Sequence, residues 1–256
     1  MLRLSSITLA IGLMSALGGP VLGDEPNQPL QELFQSEVVF SQDAGETQIT
    51  LLPRFVQHRD GSGEVMPFGF EYGFTDSWQL EADWDSYIRD NRNGLPGAQG
   101  IGDADLGTRY SWMHIDGTPV SAALGFNVNA PLAQKNPRLG EESQWQAQPY
   151  GVVALDIPHW DTAQMFSNIG DNWNLNRGSG NAWYANFGFY GPIGQFTVTG
   201  ELNLTQEKDD YVTPGLIWRA RENLFIGVGV PVGLNNFSDR YRVILSFIEE
   251  FGDGNG

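Results

Sequence analysis

Residues Gly100 to Met113 read GIGDADLGTRYSWM, and their pattern is the clearest indication of the fold class. From Gly102 onward, small or apolar residues alternate with a polar set that includes Asp103, Asp105 and Arg109. Such alternation over about ten residues predicts a β-strand with one apolar and one polar face. The polar face is too charged for the core of a β-sandwich, where inward residues are apolar. The pattern favours a wall that meets water on its inside and lipid on its outside.

The preceding strand candidate has the same pattern. Its apolar residues, Trp78, Leu80, Ala82 and Trp84, alternate with Gln79, Glu81, Asp83 and Asp85. If the two strands pair as antiparallel neighbours, their carboxylates and Arg109 share one surface. Because crowded like charges on a dry face would be very costly, this surface is predicted to contact water.

The composition excludes several classes of function. The chain has 256 residues, no cysteine and a net charge of -17, from 14 Lys+Arg against 31 Asp+Glu. Nucleic-acid binding needs a basic footprint, so no nucleic-acid partner is expected. Disulfides and cysteine-ligated metals are excluded as well. The two lysines, Lys135 and Lys208, both fall in predicted loops.

Residues 1–23 are predicted to be a secretory signal peptide. Arg3 supplies the positive start, a mostly apolar run follows, and Gly23 is a small residue just before a plausible cleavage point at Asp24. The apolar run is short for a membrane-spanning helix, and no later stretch approaches that length. The alternative is an uncleaved N-terminal anchor. Either way, the chain is predicted to be exported.

The rest of the chain is predicted to be all-β. Residues 24–46 are polar, with Pro26 and Pro29, and are interpreted as a periplasmic leader, partly disordered. Residues 47–248 are predicted to form a transmembrane antiparallel up-and-down β-barrel of about 12 strands, and 249–256 a C-terminal tail. The connections alternate between longer and shorter, which predicts that both termini are periplasmic. A sheet in hydrocarbon must close on itself, because every backbone N–H and C=O needs a partner.

One predicted strand carries five large apolar side chains on a single face, which is typical of contact with lipid. They are Met66, Phe68, Phe70, Tyr72 and Phe74. Aromatic residues near strand ends fit interfacial girdles: Trp78, Trp112, Trp145, Trp160, Trp183 and Trp218. A soluble secreted β-sandwich, with aromatic faces inward and charged faces outward, is the alternative that periodicity leaves open.

The segment Gly100 to Tyr110 lies between an acidic alternating strand and a small-residue strand that ends in Asn129-Ala130-Pro131. This arrangement resembles the outer-membrane proteins of the MetA pathway of phenol degradation. The matching residues are Gly100, Ile101, Gly102, Asp103, Gly107, Arg109 and Tyr110. The resemblance implies an outer-membrane barrel that passes small, often aromatic or hydrophobic, compounds. The chain departs from the usual terminal aromatic assembly signal, a role that Phe247 or Phe251 would then take.

Charged residues on the predicted inward faces are the candidate lumen lining. They are Arg54, Glu71, Glu81, Asp83, Asp85, Asp103, Asp105, Arg109, Asp156, Glu201, Arg219 and Arg242. One interpretation is a selectivity lining, since charged rings set the preference of a pore. The other is a salt-bridged network that fills a closed barrel. The sequence leaves both open.

No catalytic residue, cofactor or metal site is predicted. His58, His114 and His159 sit apart in or beside loops and are interpreted as surface histidines. Neither a Gly-x-Ser-x-Gly nor a His-Glu-x-x-His motif occurs. Asp103 and Asp105 would lie about 7 Å apart on one strand face, but they lack a calcium-loop pattern.

The sequence therefore predicts a non-enzymatic channel in a Gram-negative-type outer membrane, for passive uptake of small molecules, including aromatic or hydrophobic ones. Its expected partners are outer-membrane lipid, a small-molecule solute and the barrel assembly machinery. The alternatives from other classes are a plugged structural barrel and a lipid-modifying outer-membrane enzyme.

Overall fold

The structure is a computed structural model that describes residues 33–133, 138–140, 144–175 and 181–252. The predicted signal peptide lies outside the described residues. Among those that are described, no helix is long and apolar enough to span a membrane.

The strands follow each other around a single sheet. They are β1 (Thr47–Leu51), β2 (Arg54–Gln57), β3 (Gly61–Thr75), β4 (Trp78–Arg92), β5 (Ala98–Gly100), β6 (Ala104–Trp112), β7 (Val120–Ala130), β8 (Gln146–Asp156), β9 (Gln164–Asn174), β10 (Ala182–Ile193), β11 (Phe196–Thr205), β12 (Tyr211–Arg221), β13 (Leu224–Gly229), β14 (Val232–Gly233) and β15 (Tyr241–Phe251). A short 3₁₀ turn at Ile115–Gly117 precedes β7.

Three of the strands are interrupted. β1 and β2 both lie between β3 and β15, β13 and β14 both lie between β12 and β15, and β5 and β6 both pair with β4. Each pair therefore counts as one strand of the wall. The last strand pairs with the first, so the sheet closes into a barrel. This confirms the predicted antiparallel barrel of 12 strands.

The barrel has two different ends. At one end, which we call the turn end, Thr47 pairs with Phe251 and the connections 76–77, 194–195 and 222–223 are tight. At the other, the loop end, the connections include 131–145, 175–181 and 234–240. The predicted alternation of length is only partial, because 113–119 and 157–163 at the turn end are also long. β15 extends to Phe251, so the wall includes residues that the sequence analysis assigns to the tail.

The outer wall is apolar, as the alternation predicts. Phe68, Phe70, Tyr72 and Phe74 on β3 are exposed, between 36% and 53%. Five of the six predicted girdle tryptophans are exposed too. Trp160 differs, because its ring packs on Gly191 and its Nε1 donates to the Pro192 carbonyl at 2.7 Å. It therefore lies against the turn end of β10 instead of forming part of a girdle.

We expect Phe70→Lys to impair folding into lipid, because Phe70 lies in the middle of β3 on the outer face. A lysine at such a position should cost roughly 2–4 kcal/mol near the bilayer midplane. Urea unfolding in lipid vesicles measures this cost, with heat-modified mobility in SDS gels as a second readout. Phe70→Leu is the matched control and should behave like the natural protein. Equal stability of the lysine and leucine variants would contradict the outward assignment.

Candidate functional site: the lumen and the segment that fills it

The chain before β1 runs inside the barrel. The sequence analysis predicts a periplasmic leader over 24–46, but its described part, 33–46, packs against the inner wall. We call residues 33–46 the inner segment. Val38 and Val39 are 1% exposed and pack with inward side chains of β8 and β9, including Val152 and Phe166. The reason is burial of apolar surface: the inward faces of β7 to β10 carry apolar residues that would otherwise contact water.

The ring of Phe34 occupies a niche made by glycines. It lies on the inner surface of β12 and β13, where Gly215, Gly227 and Gly229 carry no side chain. A Cβ at Gly229 would come 2.5 Å from Phe34 Cγ, and a Cβ at Gly215 would come 2.3 Å from Phe34 Cε2. Both distances are too short for real atoms, so the niche exists because these positions are glycine.

Polar side chains of the wall bind the backbone of the inner segment. Glu201 on β11 is 2% exposed and accepts the backbone N–H groups of Phe34 at 3.3 Å and Gln35 at 3.0 Å. Asn186 donates to the Gln35 carbonyl, and Thr213 donates to the Gln35 side chain at 3.0 Å. An irregular segment inside a barrel leaves its backbone groups without strand partners. Here, wall side chains supply those partners.

A buried arginine connects the inner segment to the opposite side of the wall. Arg109 on β6 is 2% exposed, and it donates to Glu37 at 3.0 Å and to the Val38 carbonyl at 3.2 Å. Its other terminal nitrogen lies 3.7 Å from Glu71. Glu81 is adjacent and accepts from the Tyr150 hydroxyl at 3.3 Å. A buried charge requires such partners, and removing one would leave the others uncompensated.

The inner segment then descends to the turn end. The Ser41 hydroxyl hydrogen-bonds that of Ser111 at 2.7 Å, and the Gln42 N–H donates to Gln79 at 2.9 Å. Gln42 also donates to Gln48 on β1 at 3.0 Å. The segment therefore occupies the lumen from its middle down to the turn end.

The lumen between the inner segment and the loop end is lined by acids and amides. Strand register aligns five inward polar residues across neighbouring strands: Asp83, Asp105, Asn129, Gln146 and Asn174. Asp83 is exposed, whereas Glu81, two residues nearer the turn end, is 9% exposed. Since Asp83 faces inward, this exposure indicates that water reaches the loop-end half of the lumen.

The structure places the predicted lumen residues in separate groups along the barrel. Glu71, Glu81, Arg109 and Glu201 contact the inner segment or its partners. Arg54, Asp83, Asp85, Asp103 and Asp105 lie nearer the loop end, where Asp103 accepts the Ala133 N–H at 2.9 Å. Asp156 and Arg219 lie at the turn end; Arg219 stacks on Phe225, 5.7 Å from the ring centre. Arg242 belongs to an ionic network at the loop end.

That network surrounds His58, which the sequence analysis interprets as a surface histidine. The structure corrects this: His58 is 9% exposed, with Asp239 on one ring nitrogen and Asp90 on the other. Burial would raise the pKa of Asp239, but the hydrogen bond to His58 and the charge of Arg242 hold that pKa well below its usual range. His114, by contrast, lies at the turn end and is exposed, 3.0 Å from Asp156.

Sequence reasoning missed the inner segment. Two signals pointed to it: the run LFQSEVVF at 33–40 is apolar for a solvated leader, and three inward glycines recur on β12 and β13. Neither signal identifies its partner, because the niche and the ring that fills it are about 180 residues apart in the chain.

The fold is similar to those of solved outer-membrane channels. The COG4313 outer membrane channel from Pseudomonas putida F1 matches with a TM-score of 0.61 at 13% identity, over 83% of this chain and 98% of that chain. The KdgM porin matches with a TM-score of 0.54 at 11% identity, over 79% and 99%. The Ralstonia pickettii toluene transporter TbuX matches with a TM-score of 0.51 at 10% identity, over 82% and 90%.

No family model matches the chain, and no curated protein sequence does. Identities this low establish the fold alone, which is that of an outer-membrane-type β-barrel.

The glycine niche generates a prediction about the inner segment. We expect Gly229→Ala to displace Phe34, because the added methyl group would overlap the ring. A single cysteine placed at Ser36, which is 9% exposed, should then react faster with a water-soluble thiol reagent. The chain has no other cysteine, so the labelling is specific.

Gly151→Ala is the matched control, since its Cβ would meet Leu124 at an ordinary 3.4 Å on the outer wall. In a Phe34→Ala background, Gly229→Ala should add little further reactivity, because the overlapping ring is gone. Slow labelling in the Gly229→Ala variant would contradict the niche.

Proposed function

We propose that this protein is an outer-membrane channel for passive uptake of small molecules. The observation that carries the proposal is the division of the wall: exposed aromatic and aliphatic side chains outside, and acids and amides around a partly water-accessible lumen inside. Only a lipid environment outside and water inside explain both faces. The similarity to outer-membrane channels and porins supports the same location and class.

We propose small neutral or cationic compounds as the solutes. In the loop-end half of the lumen, Asp83, Asp85, Asp103 and Asp105 outnumber Arg54, so a negative potential should repel anions. One solved KdgM porin is described in complex with oligogalacturonate, an acidic oligosaccharide. The acidic lumen of this protein has the same sign of charge as such a ligand and should repel it. The resemblance to the MetA-pathway family and the similarity to a toluene transporter support aromatic or hydrophobic solutes among the neutral ones.

A plugged structural barrel is the second candidate, and the inner segment favours it. Residues 33–46 occupy the lumen from the middle to the turn end, with Phe34 and Val38 buried. Under the first proposal, a solute passes beside this segment or moves it aside. Conductance separates the two, because a permanently plugged barrel carries no current.

We propose no catalytic role, and within the described residues no group of three or more acidic or histidine side chains could hold a metal ion. The proposed environment is outer-membrane lipid, reached through an N-terminal signal peptide and the barrel assembly machinery. β15 would present Phe247 or Phe251 to that machinery. Both termini would then be periplasmic, with the turn end on that side.

Ion selectivity in planar bilayers tests the proposal. We expect the natural protein to prefer cations in a salt gradient, and Asp83→Lys to shift the reversal potential towards anions, because it changes the local charge by two units at an exposed inward site. Glu207→Lys makes the same charge change in an exposed loop between β11 and β12 and should shift it far less. Absence of any conductance would favour the plugged barrel. Equal shifts in both variants would exclude Asp83 from the ion path.

A further inference from the structure

The loop-end network holds a second feature that conduction does not explain. His58 lies in the connection between β2 and β3, and both of its ring nitrogens face carboxylates. Nδ1 lies 2.5 Å from Asp239 Oδ1, and Nε2 lies 3.5 Å from Asp90 Oδ1. A neutral imidazole has one N–H donor, whereas the imidazolium form has two. Carboxylate oxygens on both sides therefore match the protonated ring.

The two aspartates are themselves anchored on different parts of the barrel. Asp90 on β4 accepts from Arg92 at 3.0 Å and from Arg138, in the connection between β7 and β8, at 2.9 Å. Asp239, in the connection before β15, accepts from Arg242 at 2.9 Å. His58 therefore connects Asp90 and its arginines to Asp239 and Arg242.

The network extends to a further connection through Arg242. Its guanidinium lies 3.1 Å from Asp209, in the connection between β11 and β12, and 4.3 Å from the Tyr211 ring centre. The Tyr211 hydroxyl donates to Asp209 at 2.6 Å and lies 3.3 Å from Asp239. On its own connection, His58 is near Asp60, which pairs with Arg92 at 2.9 Å. The Arg92 hydrogen bond holds the pKa of Asp60 below its usual range.

Charge balance in this network depends on His58. The four acids are Asp60, Asp90, Asp209 and Asp239, and the permanent cations are Arg92, Arg138 and Arg242. A protonated His58 makes four cations against four anions. Among these ion-paired groups a neutral ring leaves one excess negative charge, and it can donate to only one of the two aspartates, in a site where His58 is 9% exposed and Asp90 is 7% exposed.

We propose that His58 is a pH-sensitive clamp on the loop end of the barrel: its protonated ring joins the β2–β3 connection to β4 and to the connection before β15. Histidine changes charge between about pH 5 and 8, where the aspartates stay ionised and the arginines stay charged. The stabilisation is present while the ring is protonated and is lost as pH rises. The connections around His58 then loosen, while the strands below keep their backbone pairing.

Backbone amides beside the clamp report its state directly. The Asp239 N–H donates to the Tyr211 hydroxyl at 3.0 Å, and the Arg240 N–H donates to the Gln57 carbonyl at 2.9 Å. Hydrogen exchange of peptides covering these amides, corrected for the intrinsic effect of pH, measures how often they open. The readout needs no current through the lumen, so it stands apart from the proposed channel function.

The experiment measures hydrogen exchange of the full-length protein and its variants in lipid nanodiscs. The pH runs from about 6 to about 9, a range in which histidine side chains lose their charge. We expect protection of Asp239 and Arg240 to fall severalfold as the pH rises through this range. His58→Gln should show low protection at every pH. His114→Gln removes the exposed turn-end histidine, which also faces a carboxylate, and should titrate like the natural protein. The Ala163 amide at the turn end should stay constant in all three.

A measurement on the natural protein alone covers the case in which His58→Gln fails to fold. Nitrogen NMR of histidine-labelled protein should show the His58 ring losing its second N–H over the same pH interval in which the Asp239 and Arg240 amides lose protection, with the His58 signals assigned by their change in the variant Asp239→Asn. Protection of the Asp239 and Arg240 amides that does not change with pH would overturn the proposed clamp. A pH dependence in His58→Gln equal to that of the natural protein would overturn it as well.

Discussion

Backbone hydrogen bonding in a medium without water is the constraint on which the rest of the structure depends. A strand in hydrocarbon must have a partner on each side, so the sheet must close. The wall meets this constraint even at its breaks. Pro53 and Pro231 lie between the halves of two interrupted strands, and neither has an N–H to donate. Their carbonyls still accept from Leu245 and Arg242, so the breaks cost little pairing.

Closure creates an inner face that a flat sheet would not have. The inward side chains of β7 to β10 are partly apolar, and those of β4, β6 and β11 are polar and include Glu81, Asp105 and Glu201. The inside therefore needs both an apolar partner and a polar one. The inner segment supplies both. Val38 and Val39 pack on the apolar part, while backbone N–H groups and Glu37 bind Glu201 and Arg109. The inner segment thus binds the inner wall of the same chain, and its contacts limit the width of the lumen.

Scarce positive charge is placed where it stabilises specific groups. With a net charge of -17, the chain can offset only some of its carboxylates. Arg109 pairs with Glu37 of the inner segment. The network around His58 contains Arg92, Arg138 and Arg242, which pair with its aspartates. Asp83 lies where water reaches the lumen, and the high dielectric constant of water lowers the cost of its repulsion with the neighbouring aspartates. Stabilising ion pairs and the acidic lining are therefore separate groups on the same inner face.

The two faces of the wall can be read from local pattern alone. Period-two alternation at 102–112 and at 66–74 assigned the two faces correctly, because each strand residue points either to lipid or to lumen and the two environments demand opposite chemistry. The contents of the lumen depend on contacts made after folding. The niche at Gly215 and Gly229, the Arg109–Glu37 pair and the His58 network join residues that are far apart in the chain. No local pattern encodes such contacts, since they exist only once the barrel has closed and brought its inward side chains to one axis.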